Sequence, residues 1–411
     1  MTSSVPLGAR AGGPDLARGI ALLGIALANL VGWLHGSAWT VLLKQQSATA
    51  ADRTVDVLLA LFVDNRGFPL FALLFGYGIG ILRRRSLARG DGAGRFLRRM
   101  LRRHAVLLAI GLAHAILLFS GDILVAYAII GMLCAVLVTR HRLLLAAAAV
   151  VTLPALGVWG WTDGTVGLGG GTGYAAASAP DYLAGLRLRA PEALRGMALA
   201  PIVDIGLLAP MALGALMARG RVLEDVPAQR ARLVQLTRWG LPIGMLGAVP
   251  LTAVLVLDPA HVRLDSEIVL GILGVLHQLT GLAAAVGLAA AAALLAEHLR
   301  ARLASDAPGP LGRLVRGVEA LGAVSLTAYL AQSLLCLAVF PPYTLDLGAR
   351  LGTAGGALLV LVGWLVMLPL ADLLRRHGRR GPMEHVLRAL AGSGTPRADI
   401  AGASRSSGGE R

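Results

Sequence analysis

Charge is scarce in this chain. Of its 411 residues only 15% are Asp, Glu, Lys or Arg, against about 25% in an average soluble domain. Lysine is nearly missing: Lys44 stands alone beside 37 arginines. Cysteine is limited to Cys134 and Cys336, each inside an apolar run and expected near opposite faces. That spacing argues against a disulfide framework and against a cysteine metal site. The first apolar run lacks a small-residue cleavage site, so it reads as a retained anchor rather than a signal peptide. The glycine-rich GLGGGTG run near residue 170 is not followed by Gly-Lys-Ser and no strand precedes it, which excludes a phosphate loop.

What fills the sequence is apolar: 56% of residues, in blocks of about the twenty needed to cross a hydrocarbon core of about 30 Å. Such blocks run over 17–35, 66–82, 104–119, 122–138, 143–161, 197–218, 239–257, 268–296, 319–340 and 351–373. The expected fold is therefore an all-α polytopic membrane protein of about ten transmembrane helices. Residues 1–392 form one helical domain, and the low-complexity stretch 393–411 is expected to be a disordered cytoplasmic tail. Residues 51–65 read as a shorter amphipathic helix leading into the second span. The loop 162–196 reads as flexible, and no internal repeat is evident.

The net charge of +15 could suggest a nucleic-acid partner, but the arginines cluster between apolar runs. Alternating the loops across ten spans puts 30 basic residues on one side and 8 on the other. This bias predicts both termini in the cytoplasm, with the basic loops against anionic lipid and no nucleic acid as partner.

Ionisable groups at membrane depth cost about 2.5–3.5 kcal/mol each on insertion scales, so each invites a reason. Asp15 and Arg18, at i and i+3, share a helix face at the mouth of the first span, next to Gly19 and with Asn29 about three turns deeper. Asp15 either complements the helix dipole while Arg18 snorkels, or the pair presents a guanidinium to an anionic cofactor. Around Asp64-Asn65-Arg66, Pro69 suits a helix start, with Asp64 or Asn65 as its cap; Phe75 and Gly76 follow, the glycine suited to packing. His114 closes the third span and Asp122 opens the fourth across a tight hairpin, with Tyr127 just beyond. A carboxylate orienting an imidazole is the arrangement of a general base or nucleophile; an Asp122 cap and a His114 bond to a carbonyl are the plainer alternative. In the ninth span Ser325, Thr327, Tyr329, Gln332 and Ser333 form a polar stretch that either glues helices or lines a pocket. His277-Gln278, Asp204 and Asp372 are further candidate members, and His104 belongs with the basic interface.

Five stretches together resemble the YeiB-like family of bacterial membrane proteins, whose C-terminal part is domain of unknown function 418. They are DLARGIALLGIALAN (15–29), FPLFALLFGYGIG (68–80), GLAHAILLFSGDILVAYAIIG (111–131), SLTAYLAQS (325–333) and GPMEHVLR (381–388). The C-terminal family domain is expected over about 230–392. Ala323, Ala328 and His385 stand where that family usually has Arg, Asn and an aromatic residue. More distantly the chain resembles transmembrane acyltransferases typified by heparan-alpha-glucosaminide N-acetyltransferase, which share an early Asp-x-x-Arg-Gly stretch. That resemblance implies acyl-CoA as a co-substrate, with no tightly bound cofactor. It also implies an extracytoplasmic hydroxyl or amine, a small molecule or a glycan, as acceptor. His114 and Asp122 would be catalytic, and Asp15, Arg18, Gly19 and Asn29 would hold the donor. Phe75, Gly76, Tyr127, His277, Ser325, Thr327, Tyr329, Gln332 and Ser333 would line the pocket, with Tyr127, Tyr329 or Gln332 steadying an oxyanion. A proton-coupled transporter or exporter of a small metabolite and a non-catalytic scaffold are the competing expectations.

Overall fold

The computed structural model describes residues 12–300 and 309–392; the tail from 393 lies outside the described residues. The described chain is helical, with a single isolated bridge between Trp39 and Gln45 as its only extended pairing. In order the helices are α1 (Gly12–Ala28), α2 (Ala50–Phe62), α3 (Gly67–Ala88), α4 (Ala93–Leu117), α5 (Leu124–Leu137), α6 (Arg142–Val151), α7 (Leu153–Thr165), α8 (Tyr182–Val203), α9 (Leu208–Arg219), α10 (Val226–Leu257) and α11 (Glu267–His298). After the undescribed 301–308 come α12 (Pro310–Ala323), α13 (Ser325–Val339), α14 (Leu347–Arg350), α15 (Thr353–Arg376) and α16 (Pro382–Leu390).

Each of the ten apolar blocks falls on one of these helices or on a consecutive pair. Among the described residues, seven helices are long and apolar enough to cross a membrane, and two bent pairs, α8–α9 and α12–α13, bring the number to nine. The tenth block is α5, shorter at 14 residues. Apolar side chains face outward all round the bundle; Val151 is 75% exposed and Leu246 71%. Such a surface is stable only against lipid. This is an integral, multi-pass membrane protein.

The two bends are not visible in the apolar pattern. α8 and α9 meet at 56° around Asp204, and α12 and α13 at 93° around Val324. The loop expected over 162–196 is also largely helical, since α7 runs to Thr165 and α8 begins at Tyr182, capped by the Asp181 carboxylate on the Ala184 amide at 2.8 Å. α2 forms as expected from a capping box between Thr49 and Asp52. α3 does not: its N-cap is Arg66, with no side-chain cap, because Asp64 is paired with Lys44 at 2.9 Å and Asn65 turns its amide elsewhere.

Small residues let the helices touch through their backbones. A Cβ at Gly274 of α11 would overlap the Gly160 carbonyl of α7, and one at Gly322 of α12 would overlap the Asp15 carbonyl of α1. The second contact fixes α1, and with it Asp15 and Arg18, against the bent pair α12–α13.

The loops gather at two ends. At one end His35 donates to the Gly348 carbonyl (3.1 Å), Trp39 to that of Gly171 (2.7 Å), and Trp33 stacks on Phe119 at 4.7 Å. At the other end Arg219 donates to the Val138 and Arg140 carbonyls at 2.9 and 2.8 Å, and Arg84 pairs with Glu224. There the turn between α3 and α4 is tied by Asp91, which accepts from Arg99, from Arg95 (2.9 Å) and from Ser86 (3.2 Å). These bonds, Arg99's foremost, hold the Asp91 carboxyl well below the usual carboxylate range. Among the described residues the basic loops near 84–92, 138–140 and 219–224 thus share one face, and the loops near 33–39, 119, 171 and 348 share the other.

Candidate functional site

Between α4 and α5 the chain turns back within residues 118–123, and this turn brings His114 and Asp122 together. Asp122 Oδ1 lies 2.7 Å from His114 Nδ1, while its Oδ2 accepts the Val125 amide at 2.9 Å. The carboxylate therefore caps α5 and orients the imidazole at once. Both side chains are buried, 0% and 2% exposed. An ionised carboxylate only accepts, so Nδ1 carries the proton and Nε2 offers its lone pair. Nε2 faces Ser333 Oγ of α13 at 2.8 Å. Tyr329, one turn earlier on α13, packs its ring on the imidazole with centroids 4.9 Å apart.

The helix end that carries His114 is held from outside. Arg189 of α8, 2% exposed, donates Nε to the Ile116 carbonyl at 2.9 Å, and the Tyr182 hydroxyl donates to that of Leu117 at 3.0 Å. These donors satisfy carbonyls that the last turn of α4 would leave unpaired.

Beside Tyr329 opens a cavity of about 740 Å³. Its apolar wall includes Phe71, Phe75, Ile79, Leu107 and Leu124, with Tyr127, His104 and Ser325 adding polar points. Six arginines border it, Arg18, Arg84, Arg85, Arg103, Arg221 and Arg388, against the carboxylates of Asp15, Glu224 and Glu384. Arg18 is held by Asp15 at 2.6 Å and donates weakly to the Leu74 carbonyl at 3.4 Å. Arg103 lies within electrostatic reach of Arg18 and Glu384 and forms no hydrogen bond or close ion pair with the described residues. Cavities of this size, apolar with a few convergent polar groups, are the usual form of a ligand site.

The cavity floor depends on the bend before α13. The 93° break leaves the first amides of α13 without helical partners. Glu384 of α16 supplies them: Oε1 accepts from the Leu326 and Thr327 amides at 2.8 and 3.2 Å, and Oε2 from the Thr327 hydroxyl at 2.6 Å. The Ser-Leu-Thr and Gly-Pro-x-Glu stretches are thus two halves of one joint.

The expected site residues divide. His114, Asp122 and Ser333 meet, and Asp15, Arg18, Phe75, Tyr127, Ser325 and Tyr329 border the adjoining cavity. Others do not line it. Gly76 is pressed on the Met211 backbone and Gly19 on Val318, where a Cβ would overlap the carbonyl. Thr327 is committed to Glu384. Asn29 sits half-buried at the end of α1. Gln332 is buried against α1, its amide 3.5 Å from the Leu22 carbonyl. The Tyr127 hydroxyl donates to the Phe68 carbonyl at 2.8 Å, which removes it as an oxyanion donor. Asp372 pairs with Arg375 and Arg376.

His277 belongs to a second buried centre. Its Nδ1 and the Asp163 carboxylate both approach Asn65 Nδ2, at 3.1 and 2.7 Å, and its Nε2 donates to the Ala60 carbonyl at 2.9 Å. Arg66 donates to the Gly244 carbonyl at 2.6 Å and to that of Asp64. Sequence reasoning also missed Arg103, Arg189 and Glu384 as contributors to the first site. Arg103 had a signal, standing beside His104 just inside an apolar helix, whereas Arg189 was hidden in a stretch that looked like loop.

Residues 217–393 match the family model described as protein of unknown function (DUF418). Over that stretch the chain is similar to the DUF418 family. Over almost its whole length it is also similar to "Uncharacterized protein YxaH" of Bacillus subtilis, 25% identical across 92% of this chain and 94% of the relative. It is similar as well to "Uncharacterized protein YeiB" of Escherichia coli, 34% identical over 29% of each chain. A protein encoded in the amylase 3′ region of Bacillus acidopullulyticus is 37% identical over 31% of this chain and 34% of its own. The DUF418 stretch supplies Tyr329, Ser333 and Glu384, while His114, Asp122, Arg18 and Arg103 come from the preceding half. The site is assembled from both.

Proposed function

We propose that this protein is a membrane acyltransferase that takes an acyl group from acyl-CoA on its basic face and passes it to a hydroxyl or amine from the opposite face. The observation that carries the reading is the cavity: arginines at its border, an apolar wall within, and an inner end at Tyr329 against the His114 imidazole. Guanidinium groups suit the phosphates of a nucleotide-type thioester, and the apolar wall suits its pantetheine and acyl parts. His114, oriented by Asp122, serves as the base that removes the acceptor's proton as the acyl carbon is attacked. The Tyr329 hydroxyl, which donates to no described residue, would steady the developing oxyanion.

In this reading the basic face is cytoplasmic, as the excess of arginine in its loops predicts, and the membrane is the bacterial cytoplasmic membrane. Asp15 acts by holding the Arg18 fork in place. The acceptor, a small molecule or a glycan, approaches from the opposite face, the end of the bundle at which Trp33 stacks on Phe119 and Phe340.

Titrating the purified full-length protein with acetyl-CoA, longer acyl-CoAs and free CoA tests the donor. Stabilisation against heat at micromolar ligand is the expected result, since a ligand that binds only the folded state raises the melting temperature. No stabilisation by any of them, together with proton-gradient-driven solute flux in vesicles, would replace the enzyme by a transporter.

A further inference from the structure

Ser333 has so far been only a neighbour of His114, and its own chemistry is unused. Its Oγ has two partners within reach: His114 Nε2 at 2.8 Å and the Tyr329 carbonyl at 3.5 Å. A helix serine with a purely local role bonds the carbonyl four residues back; here that bond is the long one. Because His114 Nδ1 donates to Asp122, Nε2 accepts and the serine hydroxyl is the donor. Hydroxyl to imidazole to carboxylate, with both bonds under 3 Å, is the relay that turns a serine into a nucleophile. It is recognised by geometry and not by chain order. Ser333 also covers Nε2, the one nitrogen of His114 not engaged by Asp122, so the hydroxyl stands where a substrate proton would otherwise be received.

We propose that Ser333 is the covalent nucleophile of the site, carrying the acyl group as an ester between donor and acceptor. This rests on the acyl-transfer reading above. In the first half, Ser333 Oγ bonds to the carbonyl carbon of an acyl thioester while its proton passes to His114 Nε2. The carbon–sulfur bond then breaks, and the leaving thiolate takes that proton and departs as thiol. In the second half, an acceptor hydroxyl or amine bonds to the ester carbon and gives its proton to Nε2. The bond to Ser333 Oγ breaks and the proton returns to Oγ. No oxidant or further reactant is needed, and the relay ends as it began. Tyr329, four residues before Ser333 and lining the cavity, would donate its hydroxyl to the oxyanion of both halves. A two-step route also suits a site between two faces, because donor and acceptor need never be bound together.

The test uses two reactive probes on the full-length protein: a short-chain alkyl fluorophosphonate, which reports an activated serine whatever the natural donor, and acetyl-CoA. Peptide mass spectrometry is expected to find the phosphonate, and after acetyl-CoA one acetyl group, on Ser333. Labelling disappears in Ser333→Ala and slows by at least about a hundredfold in His114→Ala, the low end of a general base's contribution. Ser333 unmodified by both probes, while CoA still stabilises the wild-type protein, would overturn the nucleophile and leave the donor reading standing. Phosphonate on Ser333 with neither stabilisation nor acetylation by CoA thioesters would keep the nucleophile and overturn the donor.

Discussion

Two buried polar centres occupy this bundle, and they are built differently. Around His114 the ring bonds side chains, Asp122 and Ser333, and a cavity begins at the neighbouring tyrosine. Around His277 the ring meets the Asn65 amide, while the ring and Arg66 otherwise bond carbonyls of Ala60, Asp64 and Gly244; the partners come from α2, α7, α10 and the break before α3. Groups committed to backbone carbonyls are fasteners: they supply what a broken helix lacks. Groups bonded to one another beside open space can change partners. Burial of charge inside a membrane does not separate these cases, whereas the identity of the partner atoms does.

The sharpest contrast is in activity. His114→Ala and Asp122→Asn are expected to lower acyl-CoA turnover by about 10³-fold or more in the molecules that fold, because a base or its orienting carboxylate is lost. His114→Ala also lowers the melting temperature, since it empties a buried site beside Asp122. Unchanged turnover in His114→Ala would reduce the first centre to a second fastener. Arg66→Met should act on stability alone, costing about 1–3 kcal/mol for each buried carbonyl left without its donor, read as a drop in melting temperature. Arg103→Met is expected to weaken CoA binding by about ten- to a hundredfold with little change in melting, the range for one charge-assisted hydrogen bond. Glu384→Gln should cost about 1 kcal/mol by weakening the cap on α13 and loosen protection from hydrogen exchange around Leu326 and Thr327.

The smallest effect is a pH dependence at the basic face. The Asp91 carboxyl is held below its ordinary value, chiefly by hydrogen bonds from Arg99 and Arg95. Its contribution is therefore complete above about pH 4, the unfolded value, and is lost as pH falls through the folded value. Hydrogen exchange across the α3–α4 turn should be constant from pH 5 to 8, once corrected for intrinsic rates, and accelerate only in acid. Asp91→Asn should remove that acid step.

Much of the fold was legible because lipid imposes run length and loop charge imposes alternation; these are one-dimensional signals. The pairing of His114 with Asp122 was legible for a similar reason, being a contact across one short hairpin. The Ser333 contact was not, because the partners lie 219 residues apart and only the rotation of α13 decides which side chain meets the ring. The same rotation misplaced His277, whose depth could be read from the sequence but whose neighbours could not. The 93° bend inside 319–340 was hidden because hydropathy does not register a break whose freed amides are satisfied by a glutamate 58 residues away. The 182–196 stretch looked like loop from the glycines before it, although an aspartate cap and a buried arginine make it helix.

One feature of the second centre has a practical use. Lys44, the sole lysine of the chain, has a side chain only 1% exposed and salt-bridged to Asp64. Amine-directed crosslinkers, biotin esters and dyes will therefore find no accessible lysine on the folded molecule, and attachment chemistry has to be brought in by substitution. The same scarcity makes the native protein its own reporter. Any acylation of Lys44 by a water-soluble reagent counts molecules in which that end of the bundle has come apart.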